Sequence, residues 1–256
     1  MNGTSKGLVG VYKTYTPINA IYNGDVLVWG LNNLPTNLVG RFADTAADED
    51  YWYYSNSSTG SVVNIAVNPT TKEFSCIVKD IPFFTSNKQL KEITSFPDTS
   101  TATTFYNLFC RCEGLTDINT NCFNTENVTN MAGTFNSCYA LTSLDLRSWN
   151  TSKVAGLSNM FEYCIELITL NLSGWDITKI RVFNSLFSNC YKLETLNIDG
   201  WDFTNAIGFS STFLRCNKLT NVIGTIKGIK ANIDLSYSPL TNDSAMVFIN
   251  GLETVT

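Results

Sequence analysis

The stretch "LTSLDLRSW", residues 141–149, alternates apolar and polar positions, with Leu144 and Leu146 on one side and Ser143, Asp145 and Arg147 on the other. That alternation predicts a half-buried strand. The pattern returns at a fixed interval. Phe109, Phe135, Phe161, Phe187 and Phe213 are each 26 residues apart, and so are Cys112, Cys138, Cys164, Cys190 and Cys216. The same step relates Leu115, Leu141, Leu167, Leu193 and Leu219, and also Ile118, Leu144, Leu170, Leu196 and Val222. A shorter aromatic column contains Phe123, Trp149, Trp175 and Trp201. Columns this numerous, in phase and without an insertion, identify an internal repeat. Each unit reads F-x-x-C-x-x-L-x-x-L-x-L-x-x-W-[ND]-x-x-x-V.

A single unit of this kind cannot bury its own apolar face, whereas stacked units build a parallel ladder with a rise of about 4.8 Å and continuous columns of side chains inside. The expected fold is α+β and β-rich: a leucine-rich-repeat solenoid of about five to six 26-residue coils. The segment "NTSKVAGLSNMF" returns the chain through a turn and a short helix-like or irregular arc. Upstream, Phe84, Asn87, Leu90 and Ile93 keep the pattern at a step of 25, with Asn87 in the cysteine column, which marks an atypical first coil.

Both ends need dissimilar caps, because terminal coils expose apolar columns. "INAIYNGDVLVW" predicts a hairpin around Asn23-Gly24, and "LNNLPTNLVG" reads as a linker. Residues 51–80 give three β runs, expected to form a small antiparallel unit over the first coil. At the other end a last strand is predicted around Ile233 and Leu235. A helix should then start at Thr241 to Asp243, turn Met246, Val247 and Ile249 inward, and stop at Gly251. The expected domains are an N-terminal hairpin attachment segment and linker at 1–37, a β cap at 38–82, the repeats at 83–232 and a strand-helix cap at 233–256.

Units such as "NMFEYCIELITLNLSGWDITKI" resemble the bacterial-surface (BspA-type) leucine-rich repeat, built on M-F-x-x-C-x-x-L-x-x-L-x-L-S-x-W-D-T-S-x-V. The resemblance covers about residues 104–226. It departs from the pattern at Cys110 and Cys122, and at Asn124 and Asn150, which stand for the aspartate. The opening hairpin also resembles leading segments of tailed-phage virion proteins. "DLSYSPLTNDSAMVFINGL" is similar to the cap on leucine-rich repeats of phage appendages.

Charge and composition narrow the functions. With 17 basic and 22 acidic residues the net charge is −5, which gives no positive field for nucleic acid or anionic lipid. Histidine is absent, which removes triad hydrolases and histidine-ligated zinc. The opening residues lack a positive cluster followed by an apolar run of about 7–15 residues, so no secretory signal is read there. No window approaches the roughly 20 apolar residues of a membrane helix. As written, the chain is expected to be soluble in a cytoplasm.

The five column cysteines would be strung along the stack, too far apart for one zinc ion and poorly aimed for disulfides. They read as buried thiols used as small apolar groups. Cys76, Cys110 and Cys122 break the period; a local disulfide between Cys110 and Cys122 is the alternative to the reduced state favoured in cytoplasm. The tryptophans read as packing rather than as a sugar-stacking platform. The core is thus expected to hold Phe109, Cys112, Phe135, Cys138, Trp149, Phe161, Cys164, Trp175, Phe187, Cys190, Trp201, Phe213 and Cys216.

The outward strand positions form the candidate interaction face: Asp117, Ser143, Thr169 and Thr195; Asn119, Asp145, Asn171 and Asn197; Asn121, Arg147, Ser173 and Asp199. Such rows suit hydrogen bonding to a glycan or a protein, and the plainer reading as a solvated sheet face stands beside it. No phosphate loop, CxxC pair or paired-carboxylate motif is found, so no enzyme, cofactor or metal is expected. The resemblances imply a phage virion structural protein assembled in host cytoplasm, a fibre, decoration or appendage whose repeats project outward. Its partners would be other virion proteins and a host cell-surface protein or glycan, without nucleic acid or membrane insertion, and a trimer by analogy with fibres. The alternative is a BspA-type bacterial cell-surface adhesin.

Overall fold

A computed structural model describes residues 21–22, 26–28, 38–44, 52–55, 62–65, 67, 71–77 and 82–252. The described chain is β-rich with one α-helix. The element order is β1 (Ile21–Tyr22), β2 (Val26–Val28), β3 (Leu38–Phe42), β4 (Trp52–Ser55), β5 (Val62–Asn64), β6 (Glu73–Ile77), β7 (Pro82–Phe83) and β8 (Leu90–Ser95). Then come β9 (Asp117–Ile118), β10 (Ser143–Asp145), β11 (Thr169–Asn171), β12 (Thr195–Asn197), β13 (Asn221–Ile223) and helix α1 (Asn242–Asn250).

Strands β10 to β13 form a parallel sheet in chain order. Leu144 lies opposite Leu170, Leu170 opposite Leu196 and Leu196 opposite Val222. Each rung therefore repeats the residue pattern of the one before it. A register slip of one residue would turn the leucines outward, so the repeat itself fixes the register. The return arcs stack as well. Phe109 N–H donates to Thr134 O, Phe135 N–H to Met160 O and Phe161 N–H to Leu186 O, at 2.9 to 3.0 Å. These arcs are turns without a helix.

Equivalent residues sit above one another inside. Rings of Phe84, Phe109, Phe135, Phe161, Phe187 and Phe213 stack successively with centroids 5.4 to 6.2 Å apart. Burying each ring contributes roughly 1.5–3 kcal/mol, and offset ring pairs add about 0.5–1.5. The ladder extends into both caps. Phe74 contacts Phe84 at 6.4 Å and Phe42 at 5.1 Å, while Phe248 of α1 meets Phe213 edge-on at 5.7 Å.

The N-terminal elements divide between two sheets. The six-stranded sheet runs β1-β2-β6-β3-β8-β9, and β5-β4-β7 forms the other. The three runs of residues 51–80 therefore do not make one unit: β4 and β5 pair with each other, while β6 joins β2 and β3. β1 pairs antiparallel with β2 as expected of a hairpin; its Asn23-Gly24 turn, residues 1–20 and most of the linker lie outside the described residues. β2 also pairs with β6, which makes the hairpin the margin of the cap sheet. Gly40 in β3 is needed for close approach, since a Cβ there would lie 2.2 Å from Glu92 O.

β8 pairs in parallel with β9 at a step of 25, with Ile93 opposite Ile118. Asn87 occupies the cysteine column and is buried, with Oδ1 accepting from Leu90 N–H at 3.1 Å. The sheet is interrupted between β9 and β10. Thr120 stands there where later repeats have Leu146, Leu172 and Ile198, and a 3-10 turn over Thr120–Cys122 follows. The Thr120 hydroxyl bridges the gap by donating to Asp145 O at 2.8 Å.

The C-terminal cap differs from the sequence expectation in two ways. Ile233 and Leu235 form no strand, because the chain turns where Asp234 Oδ1 accepts from Ser236 N–H at 2.9 Å. The helix does start after Thr241, whose side chain accepts from Ser244 N–H, and ends at Gly251. Val247 packs against the core as expected, but Met246 and Ile249 are 44% and 54% exposed, while Ser244 and Phe248 are buried. The last strand leaves a backbone donor to be met, and a polar residue must face it: Ser244 Oγ accepts from Val222 N–H at 2.9 Å.

Candidate functional site

The thiol and indole columns are committed to the core. Cys112, Cys138, Cys164, Cys190 and Cys216 are buried, and each Sγ donates to a backbone carbonyl one repeat earlier. The acceptors are Phe84, Phe109, Phe135, Phe161 and Phe187, at 3.1 to 3.2 Å. Desolvation pushes these thiols up, Cys164 and Cys216 to about 12. A thiol so protonated is a poor nucleophile and metal ligand. The five column cysteines are free, and so are Cys110 and Cys122. Burial also raises Cys122, to about 11. Trp149, Trp175 and Trp201 are buried, and their Nε1–H groups donate to Thr120 O, Leu146 O and Leu172 O at 2.8 to 3.1 Å. Those rings offer no face to a ligand.

The outward strand residues do gather into one surface. Ser143, Asp145, Thr169, Asn171, Thr195 and Asn197 line a shallow groove of about 330 Å³ along β10 to β12, to which Ile223 of β13 also contributes. Asp117, Asn119 and Asn121 are exposed beyond the interruption after β9. Arg147, Ser173 and Asp199 follow the strands at the turns. One column is partly occupied. Asn119, Asp145, Asn171 and Asn197 each accept, through a side-chain oxygen, the N–H two residues on, at 3.1 to 3.2 Å. Such turns hold the strand ends and leave fewer oxygens for a partner. Asp145 also receives Arg147 through Nε at 2.9 Å and Nη2 at 2.6 Å. That guanidinium holds its carboxyl below the usual range. Asp199 Oδ1 accepts from Thr225 N–H at 2.7 Å. Ser143, Thr169 and Thr195 are the positions where polar side chains face the groove without serving a turn of their own.

A second line of local structure was legible only in part. Asn107, Gly133, Asn159, Ser185 and Ser211 all have φ between 52° and 65° and are spaced by 26 residues. Asn, Gly and Ser at one column signal the left-handed conformation. Arg111, Ser137, Tyr163, Asn189 and Arg215 form a parallel left-handed column. Their residue types gave no such signal. Asn107, Gly133 and Asn159 of the first column and Arg111 of the second line a separate groove on the arcs, which sequence reasoning missed.

Among the described residues no group of three or more Cys, Asp or Glu side chains is placed to hold a metal ion. No helix among them is long and apolar enough to cross a membrane. Fold and surface together define a β-rich repeat protein with a continuous aromatic ladder and a regularly spaced polar strand face. Residues 81–194, less than half of the chain, match the model of a family described as "Mycoplasma protein of unknown function, DUF285". Among solved structures the chain is similar to a leucine-rich repeat protein from Bacteroides ovatus, with 17% identity and a TM-score of 0.35. The similarity covers 71% of this chain and 56% of that one, so this chain spans little more than half of that protein. No curated protein matches the sequence.

Proposed function

We propose that the chain is a non-enzymatic interaction module: a leucine-rich-repeat solenoid, capped at both ends, whose strand face meets another macromolecule. The observation that carries this reading is the division of labour between core and surface. Every repeated thiol and indole is spent on packing and backbone hydrogen bonds, whereas Ser143, Thr169 and Thr195 present a row of hydroxyls at the spacing of the strands. A rigid array of this kind suits a partner with its own repeated polar groups, because preorganised groups lose little entropy on binding.

Two settings fit such a module, a phage virion component and a BspA-type cell-surface adhesin. The repeats alone favour neither. Both would present the strand face outward to a protein or glycan. Mass spectrometry of purified phage particles and of bacterial surface fractions separates them, since the chain should be found in one and not in the other. The module itself is tested by measuring attachment of labelled protein to intact bacterial cells and to immobilised host-matrix proteins. Attachment should be lost in Thr169→Lys and Thr195→Lys variants that melt as the parent does. Attachment unchanged by both substitutions would overturn the assignment of the strand face.

A further inference from the structure

The arcs opposite the strands carry a groove of about 480 Å³ that shares no residue with the strand face. Three successive repeats and the atypical first coil, through Thr85 and Ser86, build it. Its backbone is fixed by left-handed residues and by bonds between arcs: Asn107 N–H donates to Ala132 O and Gly133 N–H to Ser158 O, both at 3.0 Å. Glu162 lines it from the last of these coils. One carboxylate oxygen, Oε2, accepts from Asn136 Nδ2 at 3.0 Å and from Asn159 Nδ2 at 2.7 Å. Among the described residues no cation pairs with Glu162 and no hydrogen bond reaches its other oxygen, Oε1. Tyr106, 48% exposed, also lines the groove.

We propose that this groove binds a neutral oligosaccharide. An amide-held carboxylate accepts from sugar hydroxyls, and each of the Asn136 and Asn159 amides keeps a second N–H at a fixed position beside it. The Tyr106 ring offers an amphipathic platform for a sugar face. One acidic and one basic side chain, Glu162 and Arg111, line the groove, so neither sign of charge dominates it. Spacing selects as well. Repeats rise by about 4.8 Å, close to the length of one pyranose unit, whereas an extended peptide advances about 3.4 Å per residue and falls out of step.

Titration of the isotope-labelled full chain with cellotetraose and chitotetraose tests this by amide NMR, with a Gly-Ser octapeptide as the competing class. Saturable shifts are expected for at least one sugar, confined to residues 106–111, 132–136 and 158–162. Tyr106→Ala should weaken that binding at least about tenfold with an unchanged melting temperature, and Glu162→Gln should weaken it similarly. Thr169→Lys on the strand face should leave it unchanged. The proposal is overturned if neither sugar gives saturable shifts, if the peptide binds instead, if Tyr106→Ala binds as the parent does, or if Thr169→Lys abolishes binding.

Discussion

Replacing Ser244 by alanine separates two physical effects by sign. In an isolated helix the change is favourable by about 0.5 kcal/mol, because serine competes for backbone hydrogen bonds that alanine does not. In this protein Ser244 is 2% exposed and Val222, whose N–H it accepts, is 3% exposed. Removing the oxygen leaves a buried backbone donor without its partner, at a cost of about 1–3 kcal/mol. The hydroxyl of Thr241, which donates to Ser244 Oγ at 2.9 Å, loses its acceptor too. The net expectation is a loss of about 0.5–2.5 kcal/mol, and melting falls by about 2–4 °C for each kcal/mol in a chain of this size. Thermal unfolding followed by circular dichroism gives the sign. Hydrogen exchange at the Val222 amide gives the location, since its protection should drop by a larger factor than that of Leu170. A variant that melts higher than the parent, or that leaves Val222 exchange unchanged, would refute the claim that α1 is held on by this bond.

Trp175→Phe should cost about 1.5–3 kcal/mol, combining a lost buried bond to Leu146 O with a small cavity, and urea midpoints measure it. Iodoacetamide at pH 8.5 should leave the five column thiols of the native protein unmodified and react slowly at Cys110 and Cys122, which are only partly buried; intact-mass and peptide mapping read this out, and labelling of Cys164 before unfolding would contradict the packing. Hydroxyl bonds from Thr178 and Thr204 hold the carboxyls of Asp176 and Asp202 below the ordinary 3.8. Their folded pKa values are depressed, so the stability they contribute is present above 3.8 and is lost as pH falls through the lowered values. Acid titration of a Thr178→Val, Thr204→Val double variant should therefore show a shallower loss of stability below pH 4 than the parent.

Legibility followed the repeat. Where residues recur at 26, the strand register of β10 to β13, the inward leucines and the buried phenylalanine and cysteine columns could all be read directly, because each position experiences the same neighbours above and below. Loss of the recurrence removed that information. Of the α1 residues expected inward Val247 packs against the core, whereas Met246 and Ile249 are exposed and Ser244 is buried instead, because a hydrophobic pattern records apolar burial and cannot register a donor such as Val222 N–H. The division of β4, β5 and β6 between two sheets depends on pairings between segments distant in sequence, which alternation alone does not encode.

The candidate surface divides in the same manner. Strand alternation placed Ser143, Thr169 and Thr195 outward, and the sequence by itself determined that. Only the tertiary structure showed that Asn119, Asp145, Asn171 and Asn197 spend an oxygen on the turn that follows, a local geometric choice that a polar residue type leaves open. It also brought Tyr106, Asn136, Asn159 and Glu162 into one groove. Asn136 and Glu162 share one column at the 26-residue step, whereas Tyr106 and Asn159 belong to two others, and periodicity alone does not say that these columns line one groove. Periodicity fixes what each repeat shares, while stacking decides what unlike positions of neighbouring repeats build together.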